Sequence, residues 1–227
     1  MTSDRRLVTD DLLPTTYYLL PTTYYLLPTT SHQSPVVGHR SSVVGHYICF
    51  MILHPWHEVD HDFDRDKAQV KGIVEISQGS KAKYEVDKKS GLLKLDRVVF
   101  AAFHYPINYG FIPQTLGEDG DPLDILVLSE VAIQPLCLVK TKVIGYMEMI
   151  DTGVKDEKII AVADGDMSVA HINSIEELPE YFKQELKHFF QEYKRLSKKE
   201  VIVDEFLPAA AALDIIDSCI KRYKEKY

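Results

Sequence analysis

The 227-residue sequence lacks several features that mark common protein classes. It contains no apolar run approaching the roughly 20 residues that cross a bilayer, so we expect no membrane-spanning helix. Its three cysteines, Cys49, Cys137 and Cys219, form no Cys-x-x-Cys pair, and their odd number predicts free thiols in a reducing compartment. The first residues are charged and lead into no apolar signal segment, which favours a cytoplasmic protein.

Positive charge is also scarce. The chain has 26 Lys and Arg against 34 Asp and Glu, a formal net charge of −8. Such a chain is a poor candidate for nucleic-acid binding, because that interaction relies on Lys and Arg to neutralise phosphates. A small anion could still bind where bound cations and a few basic side chains invert the local field. The sequence also lacks a Gly-rich phosphate loop, which argues against a nucleotide-directed enzyme.

Seven-residue repeats dominate the N-terminal region. The sequence LLPTTYY occurs at Leu12–Tyr18 and again at Leu19–Tyr25. This period is too short for a solenoid, whose units span about 20 residues or more, and a proline in each copy disfavours a helix. We therefore divide the chain into a low-complexity extension, residues 1–50, and a globular domain, residues 51–227. The extension is predicted to be disordered or, alternatively, not to be translated, with Met51 as the start.

Strand-like segments come first in the globular domain, and helical segments come last. Val70–Ile76 and Lys81–Val86 flank a turn and are predicted to form a hairpin. Helices are predicted after Ser174, which fits a capping box, with Pro179 in the first turn of the main helix, and again after Pro208. This order indicates an α+β protein built on a small barrel or sandwich. The remaining strands are expected at residues 92–95, 136–150, 158–162 and 200–203.

The stretch from Glu118 to Asp124 is the most informative part of the sequence. Asp119, Asp121 and Asp124 lie close together on a Gly-Pro turn, directly before an apolar strand. Carboxylates so close repel each other, and a hard cation such as Mg²⁺ relieves that repulsion. A solvated acidic turn is the alternative, but the buried strand after Asp124 favours a metal site. An EF-hand does not fit, because the sixth loop position is Asp124 instead of Gly.

Five separated blocks together resemble the family of soluble inorganic pyrophosphatases of the small-barrel, bacterial-like type. The signature Asp-x-Asp-Pro-x-Asp followed by an apolar residue is complete at Asp119–Ile125. The other blocks follow in the family's order and extend the resemblance from about Pro55 to the C-terminus. They are KYEVDKKSG at 83–91, YPINYGFIP at 105–113, the loop with Asp151, Asp156 and Lys158, and HFFQEYK at 188–194.

This resemblance implies a fold, a reaction and an assembly. The fold would be a five-stranded closed β-barrel, OB-like, with two flanking C-terminal helices. The reaction would be hydrolysis of pyrophosphate to two phosphates by a water that several Mg²⁺ ions per subunit activate, with Mn²⁺ or other divalent ions as substitutes. The domain length is similar to that of bacterial-like members, which implies a homohexamer. The implied partners include neither nucleic acid nor membrane.

The resemblance also implies roles for individual residues. Asp121 would take a proton from the attacking water, and Tyr109 would line the site. The remaining residues fall into three groups, and the members of each group have the same role. The metal ligands would be Asp119, Asp124, Asp151 and Asp156; the phosphoryl-binding residues Lys83, Arg97, Lys158, Tyr193 and Lys194; and the outer-shell residues Glu75, Glu85 and Tyr105.

Two alternatives remain for the acidic residues. A metal-buffering module would use the same carboxylates without turnover, but it would not need the basic residues Lys83, Arg97 and Lys158. Taken singly, Asp151 and Asp156 resemble a solvated turn, and Tyr105 is typical of a core aromatic residue. The combination of the blocks is what favours the enzyme.

Overall fold

Nine strands and two α-helices make up the part of the chain that the computed structural model describes, residues 53–100, 102–193 and 201–227. The strands are β1 (Gln69–Ile76), β2 (Ala82–Val86), β3 (Leu93–Val98), β4 (Asn108–Phe111), β5 (Asp124–Leu128), β6 (Leu138–Asp151), β7 (Val154–Lys155), β8 (Lys158–Ala163) and β9 (Val201–Pro208). The helices are α1 (Glu180–Glu192) and α2 (Ala209–Lys226). The predicted N-terminal extension and Lys194 lie outside the described residues.

Five of the strands close into a ring. The order is β1, β4, β5, β8 and β6, and β6 pairs again with β1. All pairings in the ring are antiparallel except that of β5 with β8. The predicted five-stranded closed barrel with two C-terminal helices is therefore confirmed. The ring is uneven, because the 14-residue β6 also pairs with β7 and β9 outside it.

The predicted hairpin between β1 and β2 is wrong. β2 pairs with β3 in a separate two-stranded sheet, and β1 pairs with β4 and β6. The intervening turn is drawn towards a distant segment, since Gly79 N donates to Tyr105 O and Tyr105 N donates to Ser80 O. These long-range hydrogen bonds pair backbone groups of the turn with a distant segment, and β2 therefore lies outside the barrel. The β2–β3 hairpin thus becomes a flap beside the ring.

Two apolar clusters sandwich the ring strands. All six residues of β8 are buried, as expected for a strand covered on both faces. Ile160 packs in one cluster with Phe189 and Phe190 of α1, whereas Ile159 packs in the other with Ile216 of α2. The alternation along β8 therefore assigns one helix to each face of the sheet.

The start of α1 differs from the sequence prediction. Ser174 precedes a single 3₁₀ turn, Ile175–Glu177, and makes no side-chain capping hydrogen bond. Leu178 is extended, with ψ of 137°, as the residue before a proline prefers, and this interrupts the helix. The α-helix begins only after Pro179, which occupies the N-cap position.

Two predicted strands have different lengths in the structure. The segment expected as one or two strands at 136–150 is the single strand β6, and β9 continues five residues past Val203 to Pro208. Its pairing with β6 extends the strand beyond what its local sequence indicates. No helix in the described ranges is long and apolar enough to cross a membrane.

Candidate active site

The parallel strands β5 and β8 begin at the same edge of the ring. Asp124 is the first residue of β5, Lys158 is the first of β8, and the two are register partners. The loop before β5 carries Asp119 and Asp121, and Asp156 lies two residues before β8. Two neighbouring strand starts thus gather side chains that are far apart in sequence around a cavity of about 580 Å³.

A buried lysine joins two of the predicted metal ligands. Lys158 is only 2% exposed, and its ammonium forms ion pairs with Asp124 and Asp156. Burial opposes its charge, but the two carboxylates outweigh burial and hold the pKa of Lys158 well above its usual value. Lys158 is therefore charged at neutral pH and supplies a fixed positive centre in the cavity.

The acidic loop is held by its own backbone. Asp121 N donates to Asp119 Oδ1 at 3.0 Å, and Gly117 N donates to Asp121 O at 2.7 Å. Burial raises the pKa of Asp119, and the neighbouring carboxylates of Asp156 and Asp121 add to this shift. A bound cation would reverse the repulsion that these groups experience.

Glu75 fastens the flap to the barrel. It lies on β1 and is 7% exposed, and its Oε1 accepts a hydrogen bond from Val86 N of β2 at 2.6 Å. Burial, followed by repulsion from Asp124 and Glu85, raises the pKa of Glu75 to about 8. Glu75, a predicted outer-shell residue, thus connects β1 beside Asp124 to the flap.

Glu75→Gln should stabilise the metal-free protein more at pH 9 than at pH 5. The pKa of Glu75 is higher in the folded protein than in the unfolded chain, so ionisation between pH 4.5 and about 8 lowers the free energy of unfolding. Glutamine removes this loss and keeps an oxygen for Val86 N. Thermal unfolding with a chelator at both pH values measures the difference. An equal change in melting temperature at both pH values would contradict the explanation by a buried carboxylate.

The flap contributes the basic side of the cavity. Lys83 of β2 contacts Glu85 and lies 3.2 Å from Asp96 Oδ2. Arg97 of β3 is the register partner of Lys83, and its Nε donates to the same Asp96 oxygen at 2.8 Å. The sequence did not single out Asp96, although it directly precedes Arg97. It holds two predicted phosphoryl-binding cations side by side.

Three tyrosines cluster beside the cavity, and two of them, Tyr109 and Tyr193, line it directly. Tyr109 of β4 donates a hydrogen bond to Asp124, and the Lys158 ammonium lies 5.8 Å from the centre of its ring. Tyr105 is 1% exposed and packs edge-on against Tyr109, with ring centres 5.7 Å apart. Tyr193, at the end of α1, stacks on Phe189. Burial raises the pKa of Tyr109 well above its usual value, so this phenol stays a donor.

The cavity brings together most of the residues that the sequence nominated, and it adds four charged side chains that the sequence missed: Asp87, Lys88, Lys89 and Lys94. Arg97 and Tyr105 do not line it directly. Lys88 does, and its ammonium forms an ion pair with Asp121. Lys88 belongs to the block KYEVDKKSG, five residues after Lys83, and its place in that block was the available signal. The nominated residues that line the cavity are Glu75, Lys83, Glu85, Tyr109, Asp119, Asp121, Asp124, Asp151, Asp156, Lys158 and Tyr193.

The cavity lining fits a hydrated hard cation. Eight carboxylate side chains and five lysines line it, which leaves an excess of negative charge. Within the described ranges, no three acidic, His or Cys side chains converge into a ready-made metal cage, and Lys158 lies between Asp124 and Asp156 instead. Mg²⁺ keeps several waters and needs only one or two carboxylates per ion. The oxygen donors present therefore suit Mg²⁺.

Comparisons with known proteins agree on one family. The family model for inorganic pyrophosphatase matches residues 72–224. The soluble inorganic pyrophosphatase of Oryza sativa subsp. indica is 47% identical over 170 residues, which are 75% of this chain and 79% of the rice protein. The crystal structure of inorganic pyrophosphatase from Thermus thermophilus superposes with a TM-score of 0.68 at 44% identity, covering 71% of this chain and 95% of that one. The chain therefore belongs to the inorganic pyrophosphatase family, a family of hydrolases.

Proposed function

We propose that the protein hydrolyses pyrophosphate to two phosphates with the help of Mg²⁺, and that Asp121 is the general base. The observation that carries this proposal is the cavity itself. It is lined both by the carboxylates of the acidic loop and by lysines from the flap and from β8. A site with both features can bind cations together with a highly charged anion, which neither feature alone explains.

The cation ligands would be Asp119, Asp124, Asp151 and Asp156. All four line the cavity and come from three separate parts of the chain. When bound, Mg²⁺ would neutralise phosphate charge and make a water more acidic. Mn²⁺ could replace it, because the donors are all oxygens.

The basic side chains would hold the two phosphoryl groups. Lys83 of the flap and Lys158 of β8 line the cavity, and so does Tyr193 at the end of α1. Arg97 would reach the substrate from its place beside Lys83, and Lys194 directly follows Tyr193 in sequence. Their positive charge would offset the negative charge that builds on the leaving phosphate.

Asp121 would act on the attacking water. Its side chain is half exposed within the cavity and forms an ion pair with the similarly exposed ammonium of Lys88. The carboxylate would accept one proton as the water oxygen bonds to one phosphorus, and the bridging P–O bond would break to release the second phosphate. Tyr109 would orient Asp124 by its hydrogen bond, and the outer-shell residues Glu75, Glu85 and Tyr105 would hold the surrounding wall.

A substrate comparison tests the proposed specificity. The purified chain with Mg²⁺ should release phosphate from pyrophosphate much faster than from ATP or p-nitrophenyl phosphate. The reason is that the proposed cation ligands and phosphoryl-binding residues fit phosphates and cations, and none of these roles concerns a nucleoside. Faster release from ATP would point to a nucleotide-directed phosphohydrolase instead.

We also propose a cytoplasmic homohexamer. Several large apolar side chains are exposed on the single chain, including Leu95 at 56% and Val131 at 60%. Burying such side chains between subunits would stabilise an assembly. Sedimentation velocity of the purified protein measures the mass, and a monomer would contradict the hexamer.

A further inference from the structure

The acidic loop is anchored at its base by the C-terminal helix. Arg222 Nη1 donates a hydrogen bond to Leu116 O at 2.8 Å, and Leu116 N donates one to Cys219 O at 3.0 Å. Both backbone polar groups of Leu116 are thus hydrogen-bonded to α2. The Leu116 side chain is 5% exposed and packs in a cluster with Trp56 and Tyr223. This is the last firmly packed residue before the loop enters the cavity.

The next residue, Gly117, links this anchor point to the carboxylates of the loop. Gly117 N donates to Asp121 O at 2.7 Å, which fixes the far side of the loop. A Cβ atom on Gly117 would lie 2.7 Å from Asp119 Oδ1, closer than such contacts allow. Asp119 Oδ1 in turn accepts the hydrogen bond from Asp121 N. A short chain of contacts therefore runs from α2 through Leu116 and Gly117 to a proposed metal ligand and the proposed base.

We propose that Arg222 is a positioning residue for the cation site, an inference that rests on the proposed function. Like charges at Asp119 and Asp121 push the loop apart when no cation is bound. The hydrogen bond from Arg222 opposes this by holding the base of the loop in one place. Arginine suits the task because its guanidinium stays charged and presents several donors in a rigid plane. The loop then meets Mg²⁺ in its binding geometry.

The test compares Mg²⁺ binding with stability. Calorimetry on the full chain without substrate should show Mg²⁺ affinity about tenfold weaker in Arg222→Met, the lower end of the effect of residues behind metal ligands. Arg222→Lys should lose less, because an ammonium can still donate to Leu116 O. Lys221→Met, on the exposed side of the same helix turn, should bind Mg²⁺ as the wild type does.

A purely structural role would lower the melting temperature of Arg222→Met while leaving its Mg²⁺ affinity unchanged, and that result overturns the proposal. Should Arg222→Met fail to fold, Arg222→Lys decides, since it keeps one donor for Leu116 O but loses the rigid guanidinium, and it should bind Mg²⁺ more weakly than Lys221→Met. Equal Mg²⁺ affinity in Arg222→Lys and Lys221→Met would then overturn the proposal. Because calorimetry uses no pyrophosphate, a wild type that binds Mg²⁺ without hydrolysing substrate refutes the proposed function and leaves the role of Arg222 measurable.

Discussion

Asp121→Asn should lower kcat for pyrophosphate hydrolysis about 10²–10⁴-fold, the usual contribution of a general base. The amide has the shape of the carboxylate but cannot take a proton from water. Asp121 N, which binds Asp119, belongs to the backbone and is retained. The fold and the Mg²⁺ affinity should therefore change little. Phosphate release and calorimetry on the same preparation measure the two effects.

Glu118→Gln is the matched control for this variant. Glu118 lies in the same loop and carries the same charge, but it does not line the cavity. Its loss should leave kcat within a small factor of the wild type. Near-normal activity in Asp121→Asn, or equal losses in both variants, would remove Asp121 from the role of base.

Lys158→Met should destabilise the metal-free protein by about 3–5 kcal/mol, the usual result of leaving a buried charge without its partner. The change removes the ammonium that joins Asp124 and Asp156, both of which are largely buried. Added Mg²⁺ should then raise the free energy of unfolding more in the variant than in the wild type, since the cation replaces the missing positive charge. Hydrolysis should fall as well, because a phosphoryl-binding group is lost.

Urea denaturation with a chelator and then with Mg²⁺ measures both parts of this expectation. Lys155→Met is the control, because Lys155 lies just before the same strand and its side chain is 57% exposed. It should change stability little, as exposed ion pairs contribute little. A Lys158→Met protein as stable as the control without Mg²⁺ would show that the buried ion pairs do not hold the site together.

Local sequence predicted the strand starts well and the pairing of strands poorly. The apolar run after Asp124 placed that carboxylate at the start of a buried strand, where the structure has it. The turn at 77–80 led to the wrong prediction of a β1–β2 hairpin. The prediction failed because this turn forms hydrogen bonds to Tyr105, which lies about 25 residues away in the sequence. Period and turn chemistry are local, whereas ring closure depends on contacts between distant strands.

The candidate site shows the same division. The acidic motif and the resemblance nominated the carboxylates, and the cavity contains them. Lys88 and Arg222 could not be singled out from spacing alone. Lys88 meets Asp121 because the flap folds over the loop, and Arg222 meets Leu116 because α2 returns to the barrel. Both contacts arise from tertiary packing, which no local pattern encodes.

The most direct test of the central claim is phosphate release from pyrophosphate by the purified full chain, first with Mg²⁺ and then with an excess of chelator. The account predicts two phosphates for each pyrophosphate consumed, and loss of release when the cation is removed. A folded protein that binds Mg²⁺ and releases no phosphate would contradict it.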